Sequence, residues 1–319
     1  MPVVKSIALP DASPDGVNMD YLAYDHVHHR VWVPAGNTGN VDVVDVTNGR
    51  ITKIDGFATS EVERQGRKRA VGPSSAAVGV GVVYIGNRGD SSICVIEADS
   101  LRKGACVKLG AMPDALVYVR STKEIWATTP RDKSITIVAA SAPGVLTVKT
   151  KMSLEGQPEG FAVDDARGVF YTNLEDQDRT LAIDIKSRKV VRTWLPHCGE
   201  SGPKGLALDH KFDFLFVACS DRVKVLDAGR DGKELSAIET GGGVDNIDYL
   251  EARRELYVGA ARAATLTVAS VDSRGQLKPE VVVPTATGAR NAVVTEDGFA
   301  YLTDSPEGKL LIVPPASHR

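Results

Sequence analysis

Residues 83–97 read VYIGNRGDSSICVIE: an apolar run, a polar turn of Gly, Asn, Arg and Asp, and a second alternating run. Runs bounded in this way mark two strands joined by a short loop. The pattern recurs six more times, as VWVPAGNTGNVDVVDV (31–46), IWATTPRDKSITIV (125–138), VFYTNLEDQDRTLAID (169–184), LFVACSDRVKVLD (215–227), LYVGAARAATLTVAS (256–270) and AYLTDSPEGKLLIV (300–313). Before each copy stands a short apolar run: MDYLAYD (19–25), PSSAAV (73–78), PDALVY (113–118), PEGFAVD (158–164), PKGLALD (203–209), VDNIDY (244–249) and ARNAVV (289–294). The second residues of these runs lie at 20, 74, 114, 159, 204, 245 and 290, so the steps are 54, 40, 45, 45, 41 and 45. A repeat of this length signals a propeller or a solenoid.

The strand chemistry decides between the two. To the first run and the two strands of each copy, each period adds a more polar fourth strand, for example RKVVRTW (188–194) and ELSAIET (234–240). Four short strands per period, with little helical periodicity, describe a propeller blade. The last copy runs out near Pro314 without a fourth strand, while VVKSIAL (3–9) is an unpaired strand-like run at the other end. The expectation is an all-β fold, a seven-bladed β-propeller of four-stranded antiparallel blades, closed into a ring by the N-terminal strand 3–9. Closure would make residues 1–319 one domain and remove the open sheet edges.

Composition allows this fold and narrows the function. Of 319 residues, 43% are hydrophobic and 25% charged, enough for a core. Lys and Arg number 38 against 41 Asp and Glu, a net charge of −3, so no global field draws the chain onto nucleic acid. No run approaches the ~18 apolar residues of a membrane span. The start, MPVVKSIALPDASPDG, lacks the features of a secretory signal, so a periplasmic or secreted location would require a removed signal, and the cytoplasm is the alternative. There is no Walker loop, HExxH, GxSxG or EF-hand loop. A monomer is expected.

VYIGNRGDSSICVIE and VFYTNLEDQDRTLAID also carry a resemblance: the chain is similar throughout to the YVTN-type seven-bladed propellers, named for this second-strand motif. The resemblance implies the fold and a bacterial protein, often exported, for which ligand binding or protein interaction is the common proposal. Function has to be argued from the site.

In a propeller the starts of the first strands share one face with the loops between second and third strands. The aligned positions Asp20, Ser74, Asp114, Glu159, Lys204, Asp245 and Arg290 would therefore surround one mouth of a central channel. Three readings stay open. In the first, Asp20, Asp114, Glu159, Lys204, Asp245 and Arg290 bind a small polar or anionic molecule, or a protein or peptide segment. Lys204 and Arg290 would clamp a carboxylate or phosphate while the acids receive hydroxyls or an amine. Arg88, Arg131 and Arg262 would add charge from the neighbouring loops.

The second reading is an enzyme. Carboxylates around an axis offer oxygen ligands to Ca²⁺, Mg²⁺ or Mn²⁺, with Asn as a carbonyl donor. The pattern is similar to the gluconolactonase and senescence-marker propellers, which implies a divalent cation on Glu159 and Asp245, with Asn173 and Asn246 as further donors. Such a protein would be a hydrolase or lactonase with Glu159, Asp114 or Asp245 as general base. Lys204 stands where that family carries a neutral or acidic ligand. The third reading is a scaffold with no ligand of its own.

The remaining chemistry-bearing residues are placed by the same repeat. Cys94 and Cys106 flank EADSLRKG on the third and fourth strands of one blade, a register that sets them opposite each other as a disulfide candidate. Cys198 and Cys219 allow a disulfide or, with His197, a soft metal site. His26, His28 and His29 belong to a surface hairpin on the opposite face. Residues 55–74 lengthen the first inter-blade connection and read as a loop, a lid or a partner contact.

Overall fold

Val, Ile and Thr dominate the repeated runs, and a pleated, half-buried surface suits their stiff branched side chains better than a helix does. The computed structural model, which describes residues 3–64, 66–142 and 144–315, is accordingly all-β apart from short 3-10 turns such as Gly36–Thr38, Pro130–Asp132 and Glu175–Gln177. Among the described residues the strands form seven four-stranded sheets and one separate hairpin. The fold is a seven-bladed β-propeller. The first strands of the blades are Ala23–Asp25, Pro73–Val78, Leu116–Val119, Pro158–Asp164, Leu206–Asp209, Val244–Leu250 and Ala289–Val294.

The second blade shows the common plan. Pro73–Val78, Val82–Asn87, Ser92–Glu97 and Lys103–Lys108 pair in chain order, and Cys94 stands opposite Cys106. In the last blade, Ala289–Val294, Ala300–Asp304 and Lys309–Val313 are completed by Lys5–Ala8, and the Leu9 N–H donates to Gly308 O at 2.9 Å. The first strand of the chain thus covers the edge that the last blade would otherwise expose. No helix among the described residues is long and apolar enough to cross a membrane.

Main-chain contacts divide the chain into two compact units, Ile7–Pro158 with Ser305–Lys309, and Glu159–Asp304 with the chain ends. In the first unit the core lies between blades. Trp32, Val41 and Val43 pack against Ile85, Cys94 and Ile96, while Tyr84, Ile93 and Val95 on the other face of that sheet meet Leu116, Ile125 and Val138. Period-two alternation is what lets one strand serve two cores. The second unit follows the same rule, with Phe216, Val223 and Val225 against Leu256 and Val258, and Tyr257, Leu266 and Val268 against Leu302 and Leu311. Each such side chain contributes roughly 1.5–3 kcal/mol of burial.

Neighbouring blades also touch through their main chains at the first-strand starts. Tyr21 N–H donates to Ser74 O and Ala76 N–H to Tyr21 O, both at 3.0 Å, in the first unit. In the second, Gly205 N–H donates to Asp245 O at 3.0 Å. Gly160, at φ +64°, lies so close to the next blade that a Cβ there would stand 2.6 Å from Lys204 O. Only glycine meets both demands.

The long first connection differs from its sequence reading. Ser60–Arg64 and Arg67–Val71 form a β-hairpin in which Glu61 faces Ala70, Val62 faces Arg69 and Glu63 faces Lys68. Glu63 and Lys68 face each other with opposite charge, Lys68 Nζ lies 3.6 Å from Glu61 Oε2, and Val62 is half-buried.

Two titratable groups stand out. His28 sits between acids, with Nδ1 2.7 Å from Asp25 Oδ2 and Nε2 2.8 Å from Asp99 Oδ1. The bond to Asp25, against some desolvation, holds the imidazolium above its ordinary range. Asp42 is fully buried, and neither carboxylate oxygen has a hydrogen-bond partner. Burial first, then the charge of Asp11, pushes its carboxyl up to about 7, while Lys53 opposes them.

The folded chain therefore binds a proton at Asp42 that the unfolded chain has released above pH ~4, so folding loses stability as pH rises from about 4 through about 7. Replacing Asp42 by Asn should stabilise the protein by roughly 2–4 kcal/mol at pH 8 and by little at pH 4. Urea unfolding at the two pH values reads this directly; an equal effect at both would exclude a buried protonated carboxyl.

Candidate functional site

The aligned first-strand positions fall in two groups, Asp20, Ser74 and Asp114 in the first unit, and Glu159, Lys204, Asp245 and Arg290 in the second. In the first unit the site is closed on itself. Arg88, at the end of its strand, donates Nη2 to Asp20 Oδ2 at 2.7 Å and to Asp114 Oδ1, and its Nε to Pro113 O at 3.3 Å. The three side chains are only 20%, 20% and 13% exposed for Arg88, Asp20 and Asp114. One cation between two largely desolvated carboxylates forms a lock in which each acid has its countercharge. Ser74 is buried, and its carbonyl accepts the Tyr21 N–H, so it is a strut between blades.

The second unit is arranged differently. Arg290 Nη1 lies 2.8 Å from Asp245 Oδ2, and the arginine side chain is 41% exposed against 13% for the acid. Asn291, buried in the left-handed conformation at φ +53°, accepts the Asn246 N–H on Oδ1 at 3.0 Å and reaches Asp245 Oδ2 with Nδ2 at 3.5 Å. The Asn246 side-chain amide nitrogen is buried without a hydrogen-bond partner. Bulges at Val244/Ile247 and Arg290/Val293 turn these residues out of the regular strand pattern.

One blade earlier, Lys204 Nζ reaches Glu175 Oε1. The lysine is 16% exposed and the acid 38%. The segment leading to Lys204 is held by a disulfide between Cys198 and Cys219, and Asp178 accepts the N–H groups of Cys198 (3.0 Å) and Gly199 (3.2 Å). Glu159 is half-buried at the start of its strand, beside Gly160 and hence beside the Lys204 backbone.

The expected cation set does not fit these residues. Asn173 is fully buried, with Oδ1 accepting from Thr180 Oγ1 at 2.7 Å and Nδ2 donating to Lys204 O at 2.6 Å, so both ends of its amide are engaged inside the sheet. Asp245 holds a guanidinium where a second cation would have to come. Among the described residues no group of three or more His, Cys, Asp and Glu converges as metal ligands. Cys198 is bridged to Cys219, so its sulfur is not available beside His197 as a soft ligand. Cys94 and Cys106 form the other bridge, with a Cα–Cα distance of 4.0 Å.

Glu175 was not visible as the partner of Lys204, because it comes from the second-to-third-strand loop of the preceding blade. Its signal lies in the loop alignment, where it takes the first position after the second strand, the position that Arg88 holds in the second blade.

No family model and no curated protein sequence matches this chain. Solved structures do. A chain in the crystal structure of a mitotic checkpoint complex superposes with TM-score 0.79 at 13% identity, over 98% of this chain and 91% of that one. A streptogramin B lyase superposes with TM-score 0.74 at 11% identity, over 97% and 96%. The Cps50 (Swd1) β-propeller domain of Myceliophteria thermophila gives 0.75 at 10% identity, over 98% and 100%. Likeness at these identities is a likeness of fold.

The lock around Arg88 is open to a direct check. Arg88→Gln removes the cation that Asp20 and Asp114 share and is expected to cost about 2–4 kcal/mol in chemical unfolding. Adding Asp20→Asn and Asp114→Asn should return most of that loss; a cost below about 0.5 kcal/mol would mean that water already screens the three groups.

Proposed function

We propose that this propeller is a recognition module that binds a charged small molecule or a charged segment of a partner at the first-strand starts of the unit Glu159–Asp304. The supporting observation is the contrast between the two charge groups. Arg88 lies between two acids and is 20% exposed, whereas Arg290, 2.8 Å from Asp245, keeps 41% of its side chain exposed. An arginine in that state presents its guanidinium face to a carboxylate or phosphate, and Asp245 then receives an amine or hydroxyl from the same ligand. Lys204 with Glu175 offers a second pair of opposite sign.

A ligand carrying both charges replaces the internal ion pair of Arg290 and Asp245 by two external ones. The desolvation cost of the site is then largely met before binding, because Asp245 is already mostly removed from water. The propellers with the same fold include one crystallised within an assembly, a mitotic checkpoint complex. Recognition of a partner is consistent with that use of the scaffold. A divalent-metal hydrolase would need bare carboxylates at Glu159 and Asp245, and the arginine bound to Asp245 argues against it.

The test is a thermal-shift screen of the full chain against amino acids, dicarboxylates, diamines and short peptides of both charges, followed by titration calorimetry of every compound that stabilises it. Arg290→Gln should weaken the true ligands about ten-fold or more. Asp245→Asn should weaken those that carry an amine. Binding untouched by both substitutions would place recognition elsewhere, and saturable heat from Ca²⁺, Mg²⁺ or Mn²⁺ that disappears in Glu159→Gln would restore the hydrolase reading.

A further inference from the structure

The turn Thr240–Gly243, sequence TGGG, joins the fourth strand Lys233–Glu239 of one blade to the first strand Val244–Leu250 of the next. Gly241 and Gly243 have φ of +87° and +93°, conformations that glycine alone adopts without strain. The turn is pinned from both sides. Gly243 and Val244 donate their N–H groups to Ser220 O at 2.7 and 3.1 Å, while Gly242 O accepts from the N–H groups of Arg262 (2.9 Å) and Ala263 (3.0 Å).

Within this fixed turn several donors are unused. Among the described residues, the N–H groups of Gly241 and Gly242 meet no acceptor. Thr240 is 6% exposed, and its Oγ1 is buried without a hydrogen-bond partner. The hydroxyls of Thr265 and Thr285 are buried and unpartnered as well. Thr265 Oγ1 lies 3.9 Å from where a Cβ on Gly241 would stand, and Thr285 N–H donates to Ala264 O at 2.8 Å, which brings both to the same junction.

A cation completes the set. Arg262 lies along the turn, its Nε and Nη2 each 3.1 Å from the place of a Cβ on Gly242. Its guanidinium has no ion-pair or hydrogen-bond partner among the described residues. Asp221 feels the charge of Arg262 but is already gripped by Arg222, with Nε to Oδ1 at 2.8 Å and Nη2 to Oδ2 at 3.1 Å.

We propose that Thr240, the amides of Gly241 and Gly242, and Arg262 form a binding site for a tetrahedral oxyanion, the phosphate or sulfate group of a ligand. Consecutive main-chain N–H groups in a glycine turn make an anion-binding concavity. A guanidinium supplies charge and directed donors. Buried unpartnered hydroxyls are costly, by about 1–3 kcal/mol each, and a bound oxyanion gives them an acceptor. Donors from the main chain, a hydroxyl and an arginine suit oxygens that diverge from one centre better than the two coplanar oxygens of a carboxylate. The site uses none of Lys204, Asp245 and Arg290, so it stands or falls apart from the reading above.

Titration calorimetry of inorganic phosphate and of sulfate into the full chain, at constant ionic strength and with acetate for comparison, tests it. Wild-type protein should give saturable heat with one phosphate per chain, and acetate should bind more weakly. Arg262→Gln should lose about ten-fold or more in affinity at unchanged melting temperature, and Thr240→Val about five-fold with a melting temperature that rises, since the unpartnered hydroxyl is gone. Arg131→Gln, which removes an exposed arginine from the matching loop of another blade, should bind phosphate like the wild type. Absence of saturable phosphate binding, equal affinity in Arg262→Gln, or equal loss in Arg131→Gln would overturn the proposal. Should either site variant melt early, Gly242→Leu, which fills the space of the guanidinium, provides the second readout and should also abolish binding.

Discussion

Main-chain contact between neighbouring blades at the starts of the first strands governs most of what surrounds it. Tyr21 against Ser74 in one unit and Gly205 against Asp245 in the other bring successive first strands to hydrogen-bonding distance. At that spacing a side chain with a Cβ does not fit everywhere, which is why Gly160 faces the Lys204 carbonyl. The residues just beside these contacts are then forced together whatever their chemistry. Charges held so close, and partly out of water, must be paired. The ion pairs of Asp20, Asp114, Asp245, Lys204 and Arg290 are consequences of that geometry before they are features of any site.

The pairing is not uniform, and the differences carry the functional argument. Arg88 satisfies two acids at once and is itself enclosed, so the group behaves as a structural lock. Arg290 and Asp245 have their own bulged strands, and Asn291 and Asn246 link those strands beneath the pair. Bulges re-aim side chains without breaking the sheet, so the scaffold stays rigid while the guanidinium reaches solvent. The Cys198 to Cys219 bridge plays a similar part for the segment before Lys204, since it ties an irregular stretch to the end of a core strand. Rigid supports with exposed tips are what low-entropy-cost binding requires.

Much of the fold was legible in the sequence because its determinants are periodic. Seven copies of one strand pattern, and a surplus strand at the N-terminus where the C-terminal copy lacks one, specify the blades and the completion of the last of them. The register of Cys94 against Cys106 follows from the same alternation. What could not be read are contacts between elements of different blades. Glu175 finds Lys204 across such a gap, and Asn173 spends its amide on Thr180 and the Lys204 carbonyl, which its place in the repeat does not reveal. The hairpin Ser60–Arg64 with Arg67–Val71 escaped notice because its strands are polar and carry almost no apolar alternation. Asp42 stands in a strand position that other blades fill with Cys94, Thr136 or Leu181, and only burial shows that it is a carboxyl without a partner.

Strand starts and turns divide the chemistry of this scaffold between them. At a strand start the main chain is already committed to the sheet and to the next blade, so only side chains remain for further polar contact, and these pair with one another. In the turn at Thr240–Gly243 the main chain leaves the sheet; Thr240 and Gly243 still donate to the carbonyls of Asp221 and Ser220, while the N–H groups of Gly241 and Gly242 meet no acceptor among the described residues. Those two donors are not matched by acceptors, and Arg262 adds charge that Asp221, already bound to Arg222, does not cancel. A paired site selects ligands by exchange and tolerates their absence. An unpaired donor site carries a standing free-energy cost that a ligand relieves, so of the two it has the stronger physical reason to be occupied.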